Sequence, residues 1–204
     1  DLGTGGYVFL VENSAGDKQL RFCISSCSPF ADSDNNSVVL NEWQHIAVVY
    51  NGTTACFYRN GLGAGCPAWT TNPGDSANAL RIGNSLTASG VEFNGLIDEV
   101  RIYNRALTLS EVEGLYKSGS AKFQAPSNKG LIGYWSFNEG TSTYAMDYSG
   151  NGNKGTLTNG PTWSNGRHGK ALSFDGSNDY VNVGTNLDNN GEMTITAWIN
   201  TNTV

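Results

Sequence analysis

The residue with the most conspicuous chemistry is Asp98. It lies in the stretch Gly95-Leu96-Ile97-Asp98-Glu99-Val100-Arg101-Ile102-Tyr103-Asn104-Arg105-Ala106-Leu107, which alternates like a strand. On a regular period of two, Leu96, Val100 and Ile102 share a face, and Asp98 falls among them. A carboxylate in an apolar stripe costs on the order of several kcal/mol unless something pairs with it. A metal ion or a ring of backbone N–H donors would satisfy it, and a β-bulge would turn it outward instead. On the same register Glu99 points to the opposite face, and a glycine separates Glu92 from both. The acid and nucleophile pair of a glycosidase is therefore not visible. His45 sits in an apolar strand and reads as a satisfied core histidine, while His168 lies in a loop. No Gly-x-Ser-x-Gly elbow supports a serine nucleophile. The chain reads as non-catalytic.

The four cysteines are Cys23, Cys27, Cys56 and Cys66. Their spacing does not make a zinc site, because the usual knuckle intervals are missing and no histidine is near. Of the three disulfide pairings, two local bridges are preferred, Cys23–Cys27 and Cys56–Cys66, in an oxidising compartment. Cys56 and Cys66 flank the hairpin turn Asn60-Gly61, and Cys23 and Cys27 flank a three-residue turn. Four reduced thiols packed as small apolar groups are the alternative. Asn35 and Asn51 head acceptor triplets for N-glycosylation, a pattern that also arises by chance.

Composition bounds the partners. Net charge is -6, and no basic patch is present to neutralise phosphates, which argues against nucleic acid. No apolar run is long enough to span a membrane. The chain opens on Asp1-Leu2-Gly3, so a leader is expected to have been removed or to lie outside this sequence. Only 15% of residues are charged, and 26 glycines supply turn chemistry.

The elements that position these residues are mostly short strands. Tyr7 to Val11, Gln19 to Ile24, Trp43 to Tyr50, Thr54 to Arg59 and Ala79 to Gly83 read as strands separated by Asn, Gly and Asp turns. Further strands are expected at Leu131 to Phe137, Ala171 to Phe174, Asp179 to Val183 and Met193 to Ile199. One helix is signalled by the capping box Thr108-Leu109-Ser110-Glu111, with Val112, Leu115 and Tyr116 as its apolar side and Gly119 as its stop. Residues 118–129 are a polar linker. The pattern predicts an all-β fold, an antiparallel two-sheet jelly-roll sandwich with one short helix.

Several stretches resemble the laminin-G-like, concanavalin-A-like jelly rolls of bacterial surface proteins. Gly130-Leu131-Ile132-Gly133-Tyr134-Trp135-Ser136-Phe137-Asn138-Glu139-Gly140 is similar to the family's opening strand. So are Asp147-Tyr148-Ser149-Gly150-Asn151-Gly152-Asn153, Gly169-Lys170-Ala171-Leu172-Ser173-Phe174-Asp175-Gly176, and Met193-Thr194-Ile195-Thr196-Ala197-Trp198-Ile199, which complete its front half. The family's back half comes earlier in the chain, through Trp43-Gln44-His45-Ile46-Ala47, Tyr58-Arg59-Asn60-Gly61 and the Asp98 strand. The resemblance implies one domain with its halves in permuted order: residues 1–117 as back half, 118–129 as linker, and 130–204 as front half. Three readings follow. The halves close on each other within one chain, and the extended linker can span roughly 40 Å for this. Alternatively each half completes a neighbouring copy, building a head-to-tail filament. In the third, the sequence is a segment of a tandem array.

The resemblance also carries a metal expectation. Related jelly rolls hold one calcium with a late-strand carboxylate and oxygens from the opening strands. Carried over, Asp98 supplies the carboxylate, and Asp147 or the carbonyls near Asn138 and Gly140 supply the rest, giving a structural calcium that joins the halves. Ordinary turn capping is the alternative for Asp147 and Asp175. The superfamily's glycosidases use Glu-x-Asp-x-x-Glu, which this chain lacks. The expected role is a non-catalytic extracellular or cell-surface structural or adhesive module, with self-association into a filament as its sharper form. The alternative is a lectin-like carbohydrate-binding module that meets surface glycans through Trp69 and Trp163, both placed in loops.

Overall fold

The computed structural model describes residues 6–14, 16–24, 27–72, 78–85, 90–118, 128–185, 187 and 191–203. Residues 119–127 of the linker, with the helix stop Gly119, and turn residues 15, 25 and 26 lie outside the described residues. The strands before the linker are β1 (Tyr7–Ser14), β2 (Asp17–Ile24), β3 (Phe30–Asp32), β4 (Gln44–Tyr50), β5 (Ala55–Arg59), β6 (Leu62–Gly63), β7 (Arg81–Ile82) and β8 (Asn94–Tyr103). Helix α1 (Leu109–Lys117) follows. After the linker come β9 (Leu131–Trp135), β10 (Tyr144–Ala145), β11 (Gly155–Thr158), β12 (Thr162–Asn165), β13 (Lys170–Asp175), β14 (Tyr180–Asn182) and β15 (Met193–Thr201).

Among the described residues the strand pairings are antiparallel, as the expected jelly-roll sandwich requires. The large sheet runs β12-β13-β8-β15-β4-β5-β6, with β9 also on β8. Strands from before and after the linker alternate in it: β15 lies between β4 and β8, and β13 pairs with β8. The opposing layer comprises β1-β2-β3 and β10-β11-β14-β7. Ile46, Val48, Ile195, Ile199 and Ile102 meet Leu20, Phe22, Val181 and Val183 in one apolar core. Between β1 and β7 the small layer is split, and a cavity of about 280 Å³ opens there.

Local chemistry explains the turns and the helix. Asn60 and Gly61 both have positive φ, 52° and 76°, as the two-residue turn between β5 and β6 demands. The Asn60 side-chain oxygen accepts from His45 N–H, tying that turn to β4. Thr108 and Glu111 form the expected reciprocal capping box, and Arg105 grips Glu111 with both terminal nitrogens. The helix lays Val112 and Leu115 on the outer side of the large sheet, where they join Ala47, Val49, Tyr103, Leu107 and Leu131 in a second apolar cluster. Strands β3, β10, β11 and β12 are too short, and β11 and β12 too rich in Asn, Thr and Gly, to announce themselves by periodicity.

Candidate functional site

The phase of β8 differs from its regular alternation. Glu99 adopts φ 55°, and the pairing with β15 slips between Thr196 and Trp198, the signature of a bulge. Ile97, Val100 and Ile102 therefore face the core. Asp98 turns to the outer side, against the loop after β12 and over Trp198. Glu99 also reaches that side, where Arg101 and the Tyr134 hydroxyl hold its carboxylate at 2.6 to 3.1 Å. The expected opposite placement of Asp98 and Glu99 is thus corrected, because the extra residue reverses the period.

Outward does not mean exposed. Asp98 is fully buried. Its Oδ2 accepts the His168 backbone N–H at 2.9 Å, and a Cβ on Gly166 would lie 2.7 Å from that oxygen, so only glycine lets the loop come so close. Around it, the ring of Trp198 meets His45, Tyr116 and His168 at centroid distances of 5.6 to 5.7 Å, and the Arg167 guanidinium covers it at 4.8 Å. Asp98 Oδ1, both ring nitrogens of His45, His168 Nε2 and Thr196 Oγ1 are buried without a hydrogen-bond partner. Burial pushes the Asp98 carboxyl up to about 7; backbone N–H donors from His168, Arg167 and Glu99 oppose this, and the Glu99 charge adds to it. Burial lowers His45 to about 3, helped by the Arg101 and His168 charges. Burial lowers His168 as well. These groups form a titratable layer under the 166–168 loop.

Asp147 sits in a different environment. Its Oδ1 accepts from Tyr134 N–H at 3.0 Å and Ser149 N–H at 2.8 Å, and its Oδ2 from the Ser149 hydroxyl at 2.9 Å and Asn153 N–H at 2.8 Å. Burial alone would raise its pKa, but these bonds from Ser149, Tyr134 and Asn153 outweigh it and lower the value. The rest of the motif clasps β9. Asn153 Nδ2 donates to Ile132 O, Asn151 Nδ2 donates to Leu131 O, and Trp135 Nε1 donates to Asn153 O. Asn138 Oδ1 accepts Lys170 N–H at 2.8 Å, and Gly140 lies beside the Lys170 stem.

Asp98 and Asp147 share no hydrogen-bond partner, and Asp147's oxygens are already taken by four protein donors. Among the described residues no group of three or more His, Cys, Asp and Glu side chains forms a metal cluster. The Asp147 oxygens act on the turn-capping alternative.

The two tryptophans separate. Trp69 is 5% exposed and stands edge-on to Phe22 and Tyr50 at 4.9 and 5.1 Å; it is a core residue and offers no platform. Trp163 lies in β12 rather than in a loop, because Thr162–Asn165 pairs with β13. Half-buried, it donates Nε1–H to Ser142 O at 2.8 Å and lines a shallow hollow of about 350 Å³ with Thr141, Ser142, Thr143 and Pro161. Sequence reasoning passed over the neighbouring stripe Tyr144, Met146 and Tyr148, all exposed. Its signal was an alternation of large side chains with Ala145 and Asp147.

Both local disulfides are present, Cys23–Cys27 and Cys56–Cys66. Asn35 is exposed, and the exposed Asn51 caps its own turn by accepting from Thr53 and Thr54. No helix among the described residues is long and apolar enough to cross a membrane. No curated protein and no solved structure matches the chain. A laminin-G-type family model, described as the concanavalin A-like lectin/glucanases superfamily, matches residues 1–113. The antiparallel sandwich, its short helix and that match over more than half of the chain agree, and the protein belongs to the concanavalin A-like lectin/glucanase superfamily.

Proposed function

We propose that this domain is a non-catalytic, extracellular structural or adhesive module whose sandwich closes within one chain. The observation that carries the closure is β15, which pairs on both edges with strands from before the linker. The large sheet completed this way leaves no central gap for a neighbour's strand, which weighs for a permuted domain closed on itself, while the split between β1 and β7 in the opposing layer is the one place among the described residues where a further strand could enter. The carboxylates support the non-catalytic reading: Asp98 is buried, Glu99 is tied to Arg101 and Tyr134, and Asp147 is saturated by loop donors. Two disulfides support an oxidising, extracellular setting. Light scattering combined with negative-stain micrographs tests the closure: a monodisperse monomer with one cooperative melt is expected, and head-to-tail polymers would overturn it.

A second reading, carbohydrate binding, is favoured by the Trp163 hollow. An aromatic ring with its N–H already satisfied, beside Thr141, Ser142 and Thr143, offers an apolar floor and hydroxyl partners for a sugar ring. Trp163→Ala is expected to abolish retention on immobilised glycans if the hollow is the site.

A further inference from the structure

The split in the small layer is bordered by two strand edges, and the hydrogen bonds around it show which backbone groups face it. In β2, Leu20 bonds toward β3: its carbonyl accepts from Ser33 N–H and its N–H donates to Ser33 Oγ, both at 2.9 Å. Successive residues of a strand bond to opposite sides, so Arg21 and Cys23 bond to β1, at Leu10 and Val8. Phe9 and Val11, which lie opposite Phe22 and Leu20, therefore aim their N–H and C=O groups away from β2 and into the split. On the other border Leu80, just before β7, bonds toward β14 through Gly184 O at 2.9 Å and Val183 N–H at 3.1 Å. Arg81 is thereby aimed outward, while the carbonyl of Gly83, the next residue on that side, already accepts from Phe93 N–H at 2.9 Å. Among the described residues, no strand pairs with β1 or β7 across the split.

Beneath these two edges the large sheet lacks a cover. Ile97, Val100, Ile195, Ala197 and Ile199 line the cavity's floor, and Phe9, Val11 and Ile82 line its walls. Ile82, Ile97, Ile195 and Ala197 retain 6 to 9% exposure, whereas Leu20, Val48 and Phe57 in the same core have none. An occupant of this slot has two demands to meet: apolar groups directed inward, and backbone-like donors and acceptors directed sideways to both edges. A lipid chain meets only the first, and it would seal in the slot-facing groups of Phe9, Val11 and Arg81 at about 1–3 kcal/mol for each one left unpaired. A helix spends its backbone groups on itself. An extended strand meets both demands.

The sequence itself holds no such strand in reserve. The first and last described residues, Gly6 and Thr203, both line the slot, but residues 1–5 carry a single large apolar side chain, Leu2. Outside the described residues, three apolar side chains at alternate positions occur only at Ala121, Phe123 and Ala125. That stretch is tethered between α1, on the outer side of the large sheet, and β9 of the same sheet. Resting on closure of the sandwich within one chain, we propose that the slot between β1 and β7 accepts one extended strand of a partner protein. The strand is about five to seven residues long, apolar at alternate positions and polar between them. Its inward side chains cover the floor, and its backbone joins β1 to β7.

A display library of random heptapeptides, panned on the purified protein, tests this. Selected peptides are expected to carry Val, Ile, Leu or Phe at alternate positions, and synthetic copies to bind the monomer. In the complex, amide exchange at Phe9, Val11 and Arg81 should slow about tenfold or more, while Leu10 and Ile82, already in ladders, change little. Val11→Pro removes one slot-facing donor and spares the β1–β2 ladder, so it should weaken binding about tenfold. Ala197→Leu fills the floor and should weaken binding without lowering the melting temperature. Selected sequences without alternation, binding that leaves those three amides unprotected, or both variants binding like the parent would each overturn the slot. Protection that rises with protein concentration alone, with a doubled mass, would assign the slot to a second copy and overturn a foreign strand. No binders from a monodisperse monomer would overturn the slot and leave the closure standing; polymers formed without peptide would overturn both.

Discussion

Asp98 and Asp147, the two aspartates expected to face one calcium ion, have opposite surroundings. Asp147 lies in a loop that, together with the Tyr134 N–H of β9, delivers four donors to its two oxygens, and its pKa falls. Asp98 lies in β8 inside the large sheet, has one oxygen held by backbone N–H donors and the other without a partner, and its pKa rises to about 7. The same side chain is ionised and structural at one place, and protonatable at the other. What decides is the local supply of donors, which a Ser-Gly-Asn-Gly-Asn loop provides and a strand with its N–H groups already in a ladder does not.

The largest effect that would break this contrast is at Asp147. Asp147→Ala leaves three backbone N–H groups, those of Tyr134, Ser149 and Asn153, without their acceptor and frees the clasp on β9. The expected loss is about 3 kcal/mol, or roughly 10 °C in melting temperature. A loss within about 1 kcal/mol would mean that the loop is held by its other bonds and that Asp147 is no anchor.

Asp98→Asn should act in the opposite direction. A carboxyl whose folded pKa is raised contributes stability that is fully present below its unfolded value near 3.8 and is lost as pH rises through about 7. At pH 8 the ionised carboxylate is buried with one oxygen bare, so the neutral amide is expected to stabilise the protein by about 2 kcal/mol. At pH 4, where Asp98 is largely protonated, the two proteins should converge. Denaturant titrations at the two pH values measure this, and a variant less stable at pH 8 would show that the carboxylate is paired after all.

Much of this fold could be read in the sequence, and the exceptions share a cause. The long β-branched strands, the Asn60-Gly61 turn, the Thr108 capping box and both disulfides follow from local rules and are found where those rules put them. Asp98's face is not a local property. It depends on one left-handed residue, Glu99, and nothing about a glutamate announces φ 55°. Trp69 and Trp163 likewise sit in similar Pro- and Thr-rich stretches. They are separated by tertiary position, one wedged between Phe22 and Tyr50 and the other on an edge strand. The Tyr144 stripe shows only once Asp147 is known to point inward.

His45 sharpens the contrast at acidic pH. Its folded pKa, lowered to about 3, makes its contribution complete above pH 6.5 and lost as pH falls toward 3. Between about pH 4 and 6.5 this slope is opposite in sign to that of Asp98, so these two contributions should offset each other there, leaving that of His168, which has the sign of His45's. Removing either group unmasks the other. In D98N stability should fall as the pH drops, by up to about 1.4 kcal/mol per unit, and in His45→Gln it should rise. Parallel curves for all three proteins would show that these two groups do not set the pH profile.

The smallest expected effect is at the ion itself. If Asp147 is fully engaged by protein donors and Asp98 is held by the 166–168 loop and its own strand, a divalent cation finds no shared cage, since calcium wants about six to eight oxygens converging on one point. Melting in excess chelator and in millimolar calcium should give the same midpoint. A chelator-induced drop of several degrees, absent in D147A, would mean that an ion displaces the loop donors and that Asp147 is a ligand before it is a cap. The same drop abolished instead by D98N, with D147A unaffected, would place the ion under the central strand. Comparing the two variants thus distinguishes the two aspartates even if the null midpoint shift fails.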